Sequence, residues 1–368
     1  MNIVLTGATG TLGSKILFEL CNFKFDSLAS VILIVRKKGR VSPQARVKNM
    51  LEYGFNSGAV TPDVATLLGK IKVVPAHTLL SPSTFLEKQK KYHFIHSAGY
   101  VNLSVYPENK DEIFSENFDF TKNIFHAFEP YISKFTFIST AFSIGNFSGV
   151  LNNDYLSIDS PKEFRNAYEA SKNATEKFLV KAGKTENIPI QILRPSVLGG
   201  NAIDHPNFFI SKYMVFYLFA KFFHKSNAGD QIRIMANADS GLNIIPTDYA
   251  AKVIVKVLET DIEQLNIVHH KETNIVRGIS KILETVGFNT FDITQEIVNQ
   301  TLGFESVLEK LYYETIGVHL NPYLTAKAYS WDTTLLESIL AIPSYDVEEY
   351  LVKTVEFAKA KNFRNQNW

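Results

Sequence analysis

A phenol and an ammonium stand four residues apart in Tyr168-Glu169-Ala170-Ser171-Lys172, a spacing that puts both on one face of a helix. A lysine beside a tyrosine favours the phenolate, drawing down a phenol pKa that starts at about 10, which makes Tyr168 a usable acid near neutral pH. The same ammonium can bind a ribose hydroxyl. Earlier in the chain, Phe137-Ile138 leads into Ser139-Thr140-Ala141. Hydroxyls at the end of such a strand can hold the oxygen of a reacting substrate; the alternative is a Ser-Thr turn satisfied by its own backbone.

A second cluster is built from glycine. Thr6-Gly7-Ala8-Thr9-Gly10-Thr11-Leu12-Gly13 follows a strand at Ile3–Leu5 and opens a helix expected over Ser14–Leu20. Glycines at this point allow a tight turn, close approach to a pyrophosphate and close helix-on-strand packing, while the helix start offers free N–H groups to the anion. The spacing is G-x-x-G-x-x-G. At the end of the next strand, Val35-Arg36-Lys37-Lys38 stands where an NAD-selective site places an acid for the ribose hydroxyls. Arg36 can clasp a 2′-phosphate bidentately and Lys37 adds a point charge, so NADPH is the expected cofactor. Arg46 is a further candidate for this clasp; a solvated basic turn and an ordinary surface arginine are the competing readings.

These residues require a scaffold that alternates strand and helix. Short β-branched or aromatic runs at Ile3–Leu5, Val31–Val35, Lys72–Val74, His93–His96, Phe135–Ile138 and Pro189–Leu193 are separated by helical patterns, which predicts an α/β, doubly wound parallel sheet of the Rossmann kind. The tyrosine helix is expected after an Asp159-Ser160-Pro161 turn. Beyond Gly199-Gly200 the pattern changes to an aromatic-rich helix around Phe208–Phe223, an extended piece at Gln231–Met235, then Asn243–Pro246 leading into a helix at Asp248–Leu258. The expected domains are therefore 1–200 with 241–258 returning to it, and a smaller interleaved substrate lobe from 201–240 and 259–368.

The bulk numbers set limits on function. Hydrophobic residues make up 45% and charged residues 20% of the 368, within the range of folded globular proteins. With 38 basic against 37 acidic residues the net charge is +1, which gives no general field for nucleic acid. The single Cys21 cannot form an internal disulfide and is expected as buried packing. No cluster has metal-ligand spacing. The chain opens directly into a strand, and Lys212 and Lys221 interrupt its most apolar later stretch short of the ~20 residues of a membrane span, so the expectation is a cytoplasmic protein.

Taken together and in this order, the elements resemble the extended short-chain dehydrogenase/reductase superfamily across roughly residues 1–260. That resemblance implies that Gly7, Gly10 and Gly13 bind pyrophosphate, with Thr6, Thr9, Thr11 and Leu12 around them. It implies that Thr140 and Tyr168 hydrogen-bond the reacting oxygen and that Lys172 orients the ribose. Within the superfamily the chain is most similar to thioester reductase domains and fatty acyl-CoA reductases. Ile34-Val35-Arg36 with Ala45-Arg46, His96-Ser97-Ala98-Gly99-Tyr100-Val101, Ile138-Ser139-Thr140-Ala141, Arg194-Pro195-Ser196-Val197 and Ile245-Pro246-Thr247-Asp248 carry this likeness. It places Ser97, Ala98, Gly99, Ser139, Pro195, Ser196 and Val197 along the cofactor.

The implied activity is NADPH-dependent reduction of an acyl thioester to aldehyde or alcohol. Because the first strand starts at residue 2, the expectation is a free-standing enzyme that collects its acyl group from coenzyme A or a separate carrier protein. Phe208, Phe209, Phe216, Phe219, Phe222 and Phe223 are candidates for an acyl pocket, against core packing between lobes. The chain departs from the family at Ala76-His77, where Gly-Asp is usual. Alternatives within the superfamily are an epimerase, a ketoreductase or a hydroxysteroid-type dehydrogenase; a dehydratase would need Asp-Glu after Thr140, where Ala141-Phe142 stands. A non-catalytic NADPH sensor is the alternative from another class.

Overall fold

Seven strands form the centre of the chain in the computed structural model, which describes all residues except 159–162 and 227–228. They are β1 (Asn2–Thr6), β2 (Ser30–Val35), β3 (Ile71–Pro75), β4 (Tyr92–His96), β5 (Ile132–Ile138), β6 (Ile190–Pro195) and β7 (Gln264–Ile267). Every neighbouring pair is parallel, in the order β7-β6-β5-β4-β1-β2-β3. The order reverses direction between β1 and β4, and the crevice at the carboxyl ends of such a pair is where ligands bind in open α/β sheets. Strand interiors are apolar on both sides, as a sheet covered by helices on both faces demands. One core packs Leu5, Leu33 and Ile95 against helices Thr11–Phe23 and Thr247–Val257, and the other packs Phe94, Phe135 and Phe137 beneath Phe120–Phe128 and Ala167–Glu186.

β7 lies in the stretch that the sequence reading gave to the second lobe. It pairs with β6 from Gln264↔Ile192 to Ile267↔Pro195 and so extends the main sheet past residue 258. Its run is short, which left no periodic signal to separate it from a loop.

A third core, around Phe219, Phe223, Phe288 and Tyr312, belongs to a smaller lobe made from the helices Phe216–His224, Ile275–Val286, Val307–Thr315 and Val347–Ala360. The expected helix over Phe208–Phe223 is realised only from Phe216. Residues 201–215 form an arch instead: the Asp248 carboxylate accepts the N–H groups of Ala202, Ile203 and Asp204 at 2.7–3.2 Å. Phe208 and Val215 also take positive φ values of 60° and 52°, which no helix admits. Ile245-Pro246-Thr247-Asp248 thus serves to fold this arch.

The segment expected to introduce Tyr168, Asp159-Ser160-Pro161, lies outside the described residues. The helix itself starts at Ala167, where the Asn166 side chain caps the Glu169 N–H at 3.1 Å, and ends at Asn187 in the left-handed region. No described helix is long and apolar enough to cross a membrane.

Candidate active site

The phosphate loop is shaped by what its glycines exclude. Gly7 sits at φ +72°, and a Cβ there would come within 2.6 Å of the Ala98 nitrogen on the neighbouring β4 turn; at Gly13 a Cβ would lie 2.2 Å from the Gly7 oxygen. No side chain caps the Thr11–Phe23 helix and its first turn carries no acid, so its leading N–H groups are free for an anion. Thr6 closes the loop from below. Its hydroxyl pairs with His96 Nδ1 at 2.7 Å and accepts the Ala98 N–H at 3.3 Å, while His96 Nε2 pairs with Thr121. Burial, followed by the nearby Lys172 charge, drops His96 to about 3, so this tie is a neutral one. The cradle has the form and polarity that the pyrophosphate of a dinucleotide requires.

The basic residues at the end of β2 have unequal surroundings. Arg36 lines the cavity beside this loop; Lys37 is exposed and does not line it. Arg46 is buried and engaged, donating to the Arg36 oxygen at 2.7 Å, Thr9 Oγ1 at 2.9 Å and the Trp368 oxygen at 3.0 Å. Thr9 is thereby a brace between loop and guanidinium. His77 is exposed and stands away from the cavity.

At the other end of the crevice, Ser97, Gly99, Ser139, Thr140, Tyr168, Lys172, Pro195, Ser196 and Val197 all line the same cavity, as do Gly10, Thr11, Leu12 and Gly13 at the phosphate end. Thr140 stands two residues beyond β5 with its hydroxyl accepting the Phe142 N–H at 3.3 Å, which leaves its proton free for another partner. Among the described residues the Tyr168 phenol has no hydrogen-bond partner. Lys172 donates to the Ile138 carbonyl at 2.9 Å and lies 4.4 Å from the centre of the Phe137 ring.

The electrostatics differ from the simple expectation that lysine pulls the phenol down. Burial, then the adjacent Glu169 charge, push the Tyr168 phenol up. Burial also lowers Lys172 from 10.5 to about 8, with Glu176 opposing the shift. In this protein alone, before any cofactor or substrate is added, Tyr168 is firmly protonated.

Three supporting residues went unnoticed in the sequence. Glu176, one helical turn beyond Lys172, accepts from Ser139 Oγ at 2.5 Å and from the buried Arg194 at 2.7 Å; its i,i+4 spacing was the signal available. Ser139 is therefore turned inward to this pair. Asn117, in a one-turn π-helical segment Ser115–Asp119, grips both Tyr100 backbone groups and donates to Ser171 at 3.2 Å, and no sequence spacing marks it. Lys212 lines the cavity from the arch, hidden by the helical reading of that stretch.

Beyond Thr140 and Tyr168 the cavity of about 480 Å³ continues into the smaller lobe, where Leu103, Phe142, Phe216, Ile279 and Leu320 are among its walls. Of the six phenylalanines named above, Phe216 and Phe219 line it; Phe223 stacks in the lobe core against Phe288 and Tyr312, and Phe209 lies against Tyr53 and Trp368. Cys21 is buried.

Comparison with solved structures supports the fold. The terminal R domain of the myxalamid PKS-NRPS pathway superposes with a TM-score of 0.67 at 18% identity, covering 100% of this chain and 92% of that one. The Aureusimine biosynthetic cluster reductase domain gives 0.68 at 13%, covering 98% and 90%. UDP-glucuronic acid 4-epimerase from Bacillus cereus, solved with NAD, gives 0.62 at 16%, covering 98% of each chain. Among curated proteins none matches. A family model described as male sterility protein matches residues 5–254, more than half of the chain. With the glycine cradle and the Tyr168/Lys172 helix in place, the chain belongs to the male sterility protein family, an NAD(P)-binding oxidoreductase branch of the extended short-chain dehydrogenase/reductases.

Proposed function

We propose that this protein is an NADPH-dependent reductase of acyl thioesters, presented on coenzyme A or on a separate carrier protein, with aldehyde or alcohol as product. The observation that carries this reading is the two-sided cavity, in which the hydroxyls of Thr140 and Tyr168 stand between a phosphate-binding crevice and a chamber walled by Leu, Ile and Phe side chains. An acyl chain fits such walls. A sugar nucleotide would find few partners for its hydroxyls among these apolar walls, at a cost for each left unpaired, which disfavours the epimerase alternative despite the shared fold.

A reduced nicotinamide held in the crevice would supply the hydride that the thioester carbon takes up. Thr140 and Tyr168 hold the carbonyl oxygen, and Tyr168 gives it a proton as the C–H bond forms, leaving a hemithioacetal. Lys172, charged below about pH 8, offsets the negative charge left on the phenol. When the C–S bond breaks, the hydroxyl proton returns to the Tyr168 phenolate, and aldehyde and thiolate leave, the thiolate taking its proton from water. The high pKa of Tyr168 suits an acid that must be protonated at the start.

The test is NADPH consumption by purified protein with acyl-CoA thioesters, an acylated carrier protein, simple aldehydes and simple ketones. Consumption with thioesters and matching thiol release is expected. Consumption with aldehydes or ketones alone would make it a carbonyl reductase, and NADPH binding without turnover on any substrate would make it a sensor.

A further inference from the structure

Four cations, Arg36, Lys38, Arg46 and Lys212, meet at the β2 end of the cavity. Lys212 is pressed below its usual value by burial and then by the charges of Lys38, Arg46 and Arg36, and Arg46 by burial and then by Arg36. Like charges brought together raise the free energy of the empty site. An anion relieves that repulsion, and the glycine cradle beside it already points to a phosphorylated ligand.

The four are not equally available. Arg46 donates to three protein oxygens and Lys38 reaches Asn367 Oδ1 at 3.5 Å. Arg36 and Lys212 both line the cavity, and among the described residues neither side chain has a hydrogen-bond or ion-pair partner. Lys212 is also held in place by its neighbours. Ser211 donates to Thr11 Oγ1 at 3.3 Å and its carbonyl accepts from Gln366 at 2.9 Å, while the Tyr213 N–H donates to Asn365 Oδ1 at 2.8 Å. The arch thus lies against the start of the phosphate-binding helix and presents one lysine toward Arg36.

We propose that Lys212 binds the adenosine 2′-phosphate of NADPH together with Arg36, and that this lysine from the arch sets the preference for NADPH over NADH. The inference rests on the NADPH reading above. It moves the second phosphate ligand from the β2 turn to the 201–215 arch, so that cofactor choice and docking of the arch on the phosphate loop are coupled.

The experiment is equilibrium binding of NADPH, NADH and 2′,5′-ADP, followed by tryptophan fluorescence or calorimetry, to the wild type, Lys212→Met and Lys212→Arg. Loss of one charge-assisted contact should weaken NADPH and 2′,5′-ADP by about tenfold or more, with NADH changed by less than about threefold. Lys212→Arg should restore most of the loss. Equal weakening of NADPH and NADH in Lys212→Met, or none in either, would overturn the role of Lys212 while a wild type that still prefers NADPH keeps the cofactor reading intact. A wild type that binds both alike would overturn the two together. Unchanged thermal unfolding of Lys212→Met excludes misfolding as the cause.

Discussion

Glu176 and Arg194 meet at 2.7 Å with neither side chain exposed to solvent, and this ion pair ties the helix that carries Tyr168 to the strand that ends in Pro195. Arg194 also lies 4.1 Å from the Tyr155 ring and donates to Asn153 and Gln264. The two sides of the crevice are set against each other by a contact buried between them. Breaking a buried pair at one end strands the other charge, which costs about 3–5 kcal/mol. Glu176→Gln should therefore unfold at a clearly lower temperature. It should also take away the charge that props up Lys172, so any residual activity should lose its alkaline side at lower pH. A variant with wild-type unfolding would show that the pair is not integral to the fold.

Tyr168→Phe isolates the acid. The phenol has no hydrogen bond to lose among the described residues, so folding and NADPH affinity should stay within about twofold of wild type. Turnover should fall by about 10²–10⁴, the usual contribution of a positioned acid. Undiminished turnover on thioesters would remove Tyr168 from the mechanism.

Much of this arrangement can be read from the residues because it is local. The glycine loop, the Tyr168/Lys172 spacing and the run from β1 to β6 each fit within a short window, and each is where it was expected. What could not be read depends on distant parts of the chain. Arg46 is a plain arginine until Trp368 and Thr9 are seen to close on it. Lys212 sat in what reads as an aromatic helix, but Asp248 gathers the preceding backbone into a turn instead. The upward push on Tyr168 comes from burial by the surrounding fold, a quantity that spacing along one helix does not contain.

Lys172 gives the protein a pH signature. Its folded pKa of about 8 lies below the ordinary 10.5, so between these values the unfolded chain holds a proton that the folded chain has released. The contribution of this group to stability therefore rises as pH climbs through that window and is lowest below it. Activity has the opposite slope. kcat/KM for NADPH reports the free enzyme and should fall above about pH 8 as Lys172 loses its charge. Lys172→Arg should be slower but should lack that limb; a limb that persists in it would belong to another group.

Gly13→Ala tests the cradle by volume alone. The added methyl would sit 2.2 Å from the Gly7 oxygen, so the Thr11–Phe23 helix must move off the loop. Overpacking of this kind costs about 1–3 kcal/mol. Binding of NADPH and NADH should be lost together, measured by the same fluorescence titration, because the change acts on the shared pyrophosphate site. Selective loss of NADPH would mean that the loop does not hold the pyrophosphate.

The apolar chamber predicts how rate depends on chain length. Each methylene that moves from water into such walls is worth about 0.8 kcal/mol, so kcat/KM should climb about fourfold per methylene across short acyl-CoA thioesters and level off once the chamber is full. Ile279 is buried, lines the chamber and stands on the Ile275–Val286 helix of the smaller lobe. Ile279→Phe should bring the plateau to shorter chains while leaving the shortest substrates close to wild type, because it shortens the chamber without touching the reacting carbonyl. Ile279→Ala should move the plateau the other way. A chain-length profile that is flat in the wild type, or identical in all three proteins, would mean that the acyl chain lies elsewhere and that this chamber is only core.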